Sequence, residues 1–318
     1  MKDILFIINP ASARGATLRG WGDARRKIVA LGIDFDERFT SRPAQATEIT
    51  RDAVNKGVKR VIAVGGDGTL SEVVNGYMDE NGQAINKAAA LGLIPSGTGS
   101  DFGRSLSLSR QDDWIRALTE SETRLIDAGR AEFRDLEGKP TARTFINVAS
   151  FGLGGDVSEL VNRWRGSLPR LVGGRARFAA AALAALGRYR NIPVSLRIDG
   201  REISIRSNLI IVANGRFAGG GMMLAPHAEL EDGLLDVIVT DQATRWDVIK
   251  ELPRIQRGAY LNHPKVTEQR AAEVSIVTEE KMSVDLDGEM VGFAPARIRV
   301  LPQAIRMCMP GSAGVSPA

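Results

Sequence analysis

A glycine-rich loop at residues 65–69 is the part of the sequence best suited to chemistry. The apolar run Val61–Val64 leads into Gly-Gly-Asp-Gly-Thr, and a segment of helical character follows. Glycines let the backbone approach an anion closely because they carry no Cβ. A helix that begins after them directs free N–H groups and its positive dipole end toward that anion. The pattern therefore predicts a phosphate site, to which the hydroxyl of Thr69 adds a donor.

Asp67 is the unusual member of this loop. A carboxylate repels phosphate unless a cation lies between them, and Mg²⁺ is the natural candidate. The alternative is a tight turn between strand and helix, in which Thr69 is only the N-cap. Two adjacent glycines and an acid exceed what a cap needs, so the sequence favours the anion site.

Two further loops of small polar residues follow predicted strands. The loop 95–102 contains a second acid, Asp101, and the loop 9–15 offers an asparagine, a serine and Arg14 to phosphate or ribose. Taken alone, each is better explained as a turn. Because the loop 95–102 follows a strand that neighbours the strand before the loop 65–69, these two loops can form opposite walls of one site. Thr40, at the end of the predicted second strand, is a weaker candidate.

Short apolar runs alternate with longer amphipathic segments in the first 130 residues. The runs Ile4–Ile8, Val61–Val64 and Leu91–Ile94 each stop at Asn, Gly or Pro, and helical character is found between them at Trp21–Leu31 and Gln45–Lys56. Runs that are apolar on both faces are typical of parallel strands covered by helices. The pattern predicts a doubly wound α/β domain, whose ligands bind at the carboxyl ends of the strands.

From about residue 127 the pattern changes to closely spaced β-branched runs, which predict a mostly antiparallel β-sandwich. A segment of helical character, Leu160–Arg190, interrupts it. We predict an α/β domain over 1–128, joined by 300–310 through the run Arg297–Leu301, a β-rich domain over 129–299, and a flexible tail over 311–318. The predicted strands of the second domain are Phe145–Val148, Val194–Ile198, Ile203–Val212, Leu234–Val239, Val274–Val277 and Met282–Leu286.

Composition excludes several other classes of protein. The net charge of +4 is too small to indicate nucleic-acid binding by itself, and the single cysteine, Cys308, excludes an internal disulfide and a cysteine-based zinc site. No apolar run reaches the roughly 20 residues that span a bilayer. The start of the chain lacks the longer apolar region of a signal peptide. These features favour a cytoplasmic protein. The P-loop lysine motif and the His-Arg-Asp loop of protein kinases are also absent from the sequence.

The ordered set of motifs resembles the diacylglycerol kinase catalytic-domain family of lipid kinases, which includes bacterial and sphingosine-kinase-like members. The resemblance rests on Asn9-Pro10, on the loop 65–69, on Gly97–Phe102, on Ala225-Pro226 with Glu231–Val237, and on Asp287-Gly288-Glu289. One departure is Ser100, where the family usually has Asn. The motifs occur in the family's order over nearly the whole chain, which is far more specific than Gly-Gly-Asp-Gly-Thr alone.

The resemblance implies an ATP- and Mg²⁺-dependent lipid kinase, with ATP bound between the two domains and the lipid held by the second. It predicts three catalytic carboxylates, Asp67, Asp101 and Glu289. The ATP contacts that it implies are Asn9, Pro10, Ala11, Ser12, Ala13, Thr40, Gly65, Gly66, Asp67, Gly68, Thr69, Leu70, Ser71 and Thr98.

Asp287-Gly288-Glu289 lies between two predicted strands, and Asp-Gly at such a place is also a strong hairpin signal. Both interpretations can hold, because a turn can project Glu289 outward. The resemblance matches Glu289 to the family's proton acceptor. A glutamate with an ordinary pKa is a weak base toward an alcohol, so its surroundings and the metal must assist it.

The loop 229–234 contains three acids and, on chemical grounds alone, is a solvated turn. The resemblance instead implies a structural Mg²⁺ in this loop, held by one carboxylate and flanking carbonyls at Glu229, Asp232 and Leu234. Oxygen ligands from a loop suit this ion.

Between Leu160 and Arg190 the sequence has seven arginines, several large apolar residues and no acid. This composition suits docking on an anionic bilayer, at about 1 kcal/mol per basic residue near the surface. It equally suits a helix packed on the β domain with a solvated arginine face. The first alternative predicts a peripheral protein on the inner membrane face.

Three functions stay open at this level. The first is a lipid kinase, the second is another small-molecule kinase with the same glycine motif, such as an NAD kinase, and the third is a regulator that binds nucleotide or lipid without catalysis. The complete motif order and the arginine-rich segment favour the first function. The retained acids argue against the third.

Overall fold

The structure of the protein, a computed structural model, describes residues 1–96, 100–108, 111–120, 122–164 and 174–310. The chain divides into two units. Unit 1 is Met1–Ile126 with the chain from Gln303 onward, and unit 2 is Asp127–Pro302.

Unit 1 is built on parallel strands whose apolar side chains are buried on both faces. The strands lie in the order β2-β1-β3-β4, and Met307, from the end of the chain's last strand, pairs in parallel with Leu91 of β4. Ile7 and Ile62 are fully buried, as expected for a sheet covered on both sides. The strands are β1 Ile4–Ile8, β2 Asp36–Phe39, β3 Arg60–Gly65 and β4 Ala90–Pro95.

Helices follow the strands of unit 1, so the predicted doubly wound α/β architecture is confirmed. Trp21 and Ile28 of the first helix are buried, and Trp21 packs on Phe6 of β1. This helix begins earlier than predicted, at Ala16. The helices are α1 Ala16–Ala30, α2 Gln45–Asn55, α3 Asp67–Tyr77, α4 Asp101–Ser105 and α5 Gln111–Thr119.

Unit 2 consists mainly of antiparallel strands, with three helices among its described residues. Its elements are β5 Thr123–Asp135, β6 Pro140–Phe145, β7 Val148–Gly152, α6 Leu153–Arg163, α7 Gly174–Leu186, β8 Ile192–Ile198, β9 Arg201–Ser207, β10 Leu209–Ala213, β11 Phe217–Ala218, β12 Met222–Met223, β13 Leu235–Thr240, α8 Arg245–Ile255, β14 Val266–Ala271, β15 Glu273–Val277, β16 Ser283–Leu286 and β17 Glu289–Cys308.

Two antiparallel sets of strands enclose the core of unit 2. One set has the order β14-β13-β10-β7-β16-β17, and the other continues from β17 through β15 and β8 to β9. Phe145, Phe151, Leu196 and Ile298 are fully buried in this core. The predicted mostly antiparallel β-sandwich is therefore confirmed.

Three predicted elements differ from those observed. The run Phe145–Val148 is the end of β6 and the start of β7, because the amides of 146–148 turn toward a carboxylate instead of pairing as one strand. The run Ile203–Val212 is broken after Ser207, whose hydroxyl bonds to Leu209. The segment Leu160–Arg190 contributes to two helices, α6 and α7, and its residues 165–173 lie outside the described part.

Candidate functional site

The glycine-rich loop of unit 1 carries β3 into α3 with Gly66 as the N-cap residue. Its carbonyl accepts from the amides of Thr69 and Leu70, and no side chain caps the helix. The hydroxyl of Thr69 instead accepts from Asn9 Nδ2 at 3.1 Å. The interpretation of Thr69 as a cap is therefore wrong, and this bond joins the glycine-rich loop to the loop 9–15.

The three glycines of this loop have different reasons to be glycine. A Cβ on Gly65 would lie 2.5 Å from Thr69 Oγ1, whereas a Cβ on Gly66 or Gly68 would meet no atom of the described residues within 4 Å. Nor does Gly66 need a glycine conformation, because its φ is −100°. Gly65 is thus explained by packing. The protein's own contacts leave Gly66 and Gly68 unexplained, as expected where a ligand approaches the backbone.

Asp67 connects the two acidic loops. Its carboxylate accepts from the amide of Asp101 at 2.9 Å and from that of Phe102 at 3.1 Å, so it holds the first turn of α4. Asp101 is 5% exposed, and its carboxylate lies 4.0 Å from Arg104 Nε. The structure therefore brings the two predicted catalytic acids of unit 1 together. Thr98 lies outside the described residues.

The loop after β1 is held in an unusual backbone conformation. Ala13 and Arg14 have φ values of 49° and 57°, in the left-handed region that non-glycine residues rarely adopt. Asn9 Oδ1 accepts from the Ala11 amide, and the hydroxyls of Ser12 and Thr17 are bonded to each other. Such strain persists where the surroundings hold it and is common at functional sites.

The remaining predicted nucleotide contacts lie close to these loops. Pro10 is partly exposed, and the amide of Thr40 donates to the carbonyl of Ile8 at 2.9 Å, directly before Asn9. Leu70 and Ser71 are buried in α3, at 0% and 3% exposure. Their side chains contribute to packing, so any contact of these two residues with a ligand would come from the backbone.

In unit 2, Asp287 and Gly288 form a two-residue turn between β16 and β17. Both have positive φ, at 53° and 86°, and Leu286 pairs with Glu289 across the turn. The Asp287 carboxylate accepts from the amides of Ile146, Asn147 and Val148 at 2.9 to 3.2 Å. Burial raises the pKa of Asp287, and these amide bonds act in the opposite direction.

Glu289 projects from this turn and remains accessible, with 59% of its side chain exposed. Its carboxylate forms an ion pair of 2.8 Å with Arg143 of β6. It lines an open pocket of about 700 Å³ within unit 2, together with Leu136, Asp156, Glu159, Asn162, Arg163, Lys281, Ser283, Met290 and Phe293. The pocket thus combines apolar side chains with charges of both signs next to the predicted base.

A buried acid, Asp285, lies beneath the same turn. Burial raises its pKa to about 7, although the Gly288 amide and the Ser150 and Ser158 hydroxyls bond to its carboxylate. One oxygen accepts from Gly288 N at 3.1 Å, and the other is buried without a hydrogen bond. A carboxyl group that is partly protonated at neutral pH therefore underlies the turn.

The predicted metal loop of unit 2 is exposed at Glu229 and partly buried at Asp232 and Leu234. Asp232 Oδ1 accepts from the amide of Leu234 at 3.0 Å. The other carboxylate oxygen faces the guanidinium of Arg270 at 3.3 Å. Bound metal at this loop stays a prediction.

The sequence analysis missed what four residues contribute to these sites. Three of them, Arg143, Asp285 and Arg270, were not identified, and the fourth, Asp287, was not expected to be buried. Asp285 and Asp287 lie two apart on either side of a strand end, which is a detectable signal. Arg143 and Arg270 lie far in sequence from their partners, at separations that no local pattern encodes.

Comparison with known protein families divides the chain as the fold does. The diacylglycerol kinase catalytic domain family matches residues 3–131. The family described as the YegS C-terminal NAD kinase beta sandwich-like domain matches residues 147–309.

Curated relatives match over the whole length. A diacylglycerol kinase of Bacillus subtilis is 29% identical over 98% of this chain and 97% of its own. A YegS-like lipid kinase of Xanthomonas axonopodis pv. citri is 32% identical and covers 96% of both chains.

Solved structures share the fold. A diacylglycerol kinase of Bacillus anthracis superposes with a TM-score of 0.68 at 20% identity over 98% of both chains. Yeast NADH kinase in complex with NADH has a TM-score of 0.52 at 9% identity, over 97% of this chain and 83% of its own.

Proposed function

Because the chain belongs to the lipid kinase family that contains the diacylglycerol kinases and the YegS-like lipid kinases, we propose that it transfers the γ-phosphoryl group of Mg²⁺-bound ATP to a lipid hydroxyl. The observation that carries the proposal is the start of α3, where Gly66 and Gly68 leave backbone uncovered beside an uncapped helix N-terminus. Such a terminus stabilises phosphate through its free amides and its dipole.

Unit 1 supplies the nucleotide site in this proposal. The amides of the loop 65–69 bind the phosphates, and Asn9 holds Thr69 in place through the bond between their side chains. The carboxylate of Asp67, which accepts the amides of Asp101 and Phe102, also supplies the negative charge that can face the Mg²⁺ that accompanies ATP. Phosphoryl transfer depends mainly on such positioning and charge neutralisation.

Unit 2 supplies the acceptor and the base. Glu289 accepts the proton of the lipid hydroxyl as that oxygen attacks the γ-phosphorus and the bond to the β-phosphate oxygen breaks. Arg143 holds the carboxylate of Glu289 at 2.8 Å, and Asp287 fixes the turn that carries it. Leu136, Met290 and Phe293 give the adjoining pocket an apolar wall suited to the part of the lipid next to its headgroup.

Peripheral membrane contact forms part of the proposal. Helix α7 buries Ala181, Ala185 and Leu186 against α6 and α8, but it leaves Leu183 54% exposed, and Trp246 at the start of α8 is 70% exposed. An exposed tryptophan near basic residues suits the interface of an anionic bilayer. Among the described helices, none is long and apolar enough to cross a membrane.

The direct test is incubation of the full chain with labelled ATP, Mg²⁺ and a panel of acceptors. The panel contains diacylglycerol, monoacylglycerol, a sphingoid base and phosphatidylglycerol, each in vesicles with and without added anionic lipid, and NAD as a soluble acceptor. We expect a labelled product in the organic phase, and more of it with anionic vesicles at low salt. Label on NAD alone, or on no acceptor, would overturn the proposal.

A further inference from the structure

Arg270 of β14 faces the acidic loop of unit 2 to which the family resemblance assigns a structural Mg²⁺. Its Nη1 lies 3.3 Å from Asp232 Oδ2, its Nη2 lies 3.5 Å from Glu229 Oε1, and its Nε lies 3.9 Å from Asp236 Oδ1. The guanidinium also donates to the carbonyl of His227 at 3.0 Å. One cation thus contacts three carboxylates and the backbone of the same loop.

The carboxylates that a metal ion would need are turned toward this arginine. Asp232 Oδ2 and Asp236 Oδ1 are both buried and accept no hydrogen bond, so Arg270 is the charge that compensates them. A divalent cation at Asp232 would lie against the guanidinium, and like charges at that range repel. The residues present do not fit the ion.

We propose that Arg270 takes the place of the structural cation in this loop. The other charged groups that face it support this assignment, because Glu229, Asp232, Asp236 and the nearby Glu268 are all acidic, and His227 pairs with Glu268 at 2.8 Å. The positive charge that a bound metal ion would supply is in this way part of the chain itself. The loop therefore keeps its conformation without a metal.

The loop held by Arg270 is connected to the turn that carries Glu289. Next to Asp232, the Gly233 amide donates to Asp127 at 2.7 Å, and Asn214 donates to the carbonyls of both Asp127 and Ile146. The following amide, that of Asn147, donates to Asp287. Hydrogen bonds and the intervening backbone therefore link the loop that Arg270 faces to the turn that carries Glu289.

The test is the thermal unfolding midpoint of the full chain, measured without nucleotide, in EDTA and in excess MgCl₂. The wild type should have the same midpoint in EDTA as in excess MgCl₂. Arg270→Gln removes the charge but keeps a polar side chain, and it should unfold about 3 °C lower or more in EDTA, because three acids lose their counter-charge. Mg²⁺ should then restore much of that loss.

Arg297→Gln is the matched control, because Arg297 forms an exposed ion pair of 2.7 Å with Glu273 away from the loop. It should unfold close to the wild-type midpoint, and Mg²⁺ should shift both proteins equally. A wild type that loses stability in EDTA and regains it with Mg²⁺ would overturn the proposal. So would an Arg270→Gln variant whose Mg²⁺ response equals that of the control.

If Arg270→Gln does not fold, Arg270→Lys provides the same comparison. A lysine keeps the charge but reaches fewer of the three carboxylates, so both its loss of stability and its gain from Mg²⁺ should be smaller and still exceed those of the control. Equal responses in this variant and the control would refute the proposal. Every readout is thermal stability, so the result is independent of the kinase assay.

Discussion

Each unit contains an Asp-Gly sequence that follows a buried strand, and the two aspartates have the same structural role. Asp67 accepts two backbone amides from the start of α4, and Asp287 accepts three from the bend between β6 and β7. In both cases a carboxylate from one loop fixes the backbone of another. The acid in each of these motifs thus fixes the backbone of a neighbouring loop.

The two regions differ in what they leave accessible. In unit 1 the accessible groups are backbone, at Gly66 and Gly68, where an added Cβ meets no atom in the part of the chain that the structure describes. In unit 2 the accessible group is a side chain, the carboxylate of Glu289. A region that exposes amides suits an anion, and one that exposes a carboxylate suits a proton. This contrast supports the division of roles proposed for the two units.

The largest expected effect is that of Glu289→Gln. The amide cannot accept the proton of a lipid hydroxyl, so turnover should fall by about 10²- to 10⁴-fold. ATP affinity should stay unchanged, because the proposed nucleotide contacts belong to unit 1. Turnover with labelled ATP and binding of an ATP analogue measure the two quantities. Glu202→Gln, an exposed residue of β9, is the control, and near-normal turnover in Glu289→Gln would remove the proposed base.

Asp285, which is buried beneath the turn that carries Glu289, should make unit 2 sensitive to pH. Its folded pKa of about 7 exceeds the ordinary 3.8, so the folded state binds the proton more tightly than the unfolded state. Its contribution to stability is complete below the unfolded pKa and is lost as pH rises through 7, a change of up to about 4 kcal/mol. Asp285→Asn should flatten the unfolding free energy between pH 4 and 8. An unchanged pH profile in chemical denaturation would contradict this assignment.

Asp67→Asn and Asp287→Asn compare the two organising carboxylates directly. Each change replaces an acceptor oxygen by an NH₂ group that faces backbone donors. We expect losses of about 2 kcal/mol at Asp67 and about 3 kcal/mol at Asp287, since the latter accepts more amides. Urea unfolding measures both. If either variant is as stable as the wild type, the equivalence of the two turns is wrong.

The smallest effect separates the glycines of the loop 65–69. Gly66→Ala should leave stability within about 0.5 kcal/mol of the wild type, yet weaken ATP binding about tenfold, because the new methyl group lies where phosphate approaches. Gly65→Ala should instead destabilise unit 1 by about 1–3 kcal/mol, because its Cβ clashes with Thr69. Calorimetric ATP titration and urea unfolding distinguish the two. Equal ATP affinity in Gly66→Ala and the wild type would count against the phosphate site.

Much of unit 1 was predictable because its signals are local. The run Ile4–Ile8 is β1 residue for residue, and Val61–Val64 lies within β3. An apolar run bounded by Gly or Pro encodes both its structure and its burial. The prediction of a lipid kinase family was confirmed on the same basis, because the ordered motifs are short and contiguous.

Unit 2 was harder because its decisive contacts are distant in sequence. The run Phe145–Val148 was predicted to be one strand. The amides of 146–148 instead donate to the carboxylate of Asp287, which lies about 140 residues away. In the same way, no local pattern pairs Arg143 with Glu289 or Arg270 with the loop 229–234. The apolar periodicity predicted correctly that these segments are strands, but it did not predict the residue at which each strand ends.

The sequence by itself determined the two-part architecture and the family, because each depends on neighbouring residues. Only the tertiary structure decided that Asp67 and Asp287 organise backbone, that Asp285 is buried beneath the turn, and that an arginine faces the acidic loop. The sequence records an aspartate in the same way whether its carboxylate contacts water, an amide or a guanidinium. Its chemistry is set by the partner that folding brings within about 3 Å.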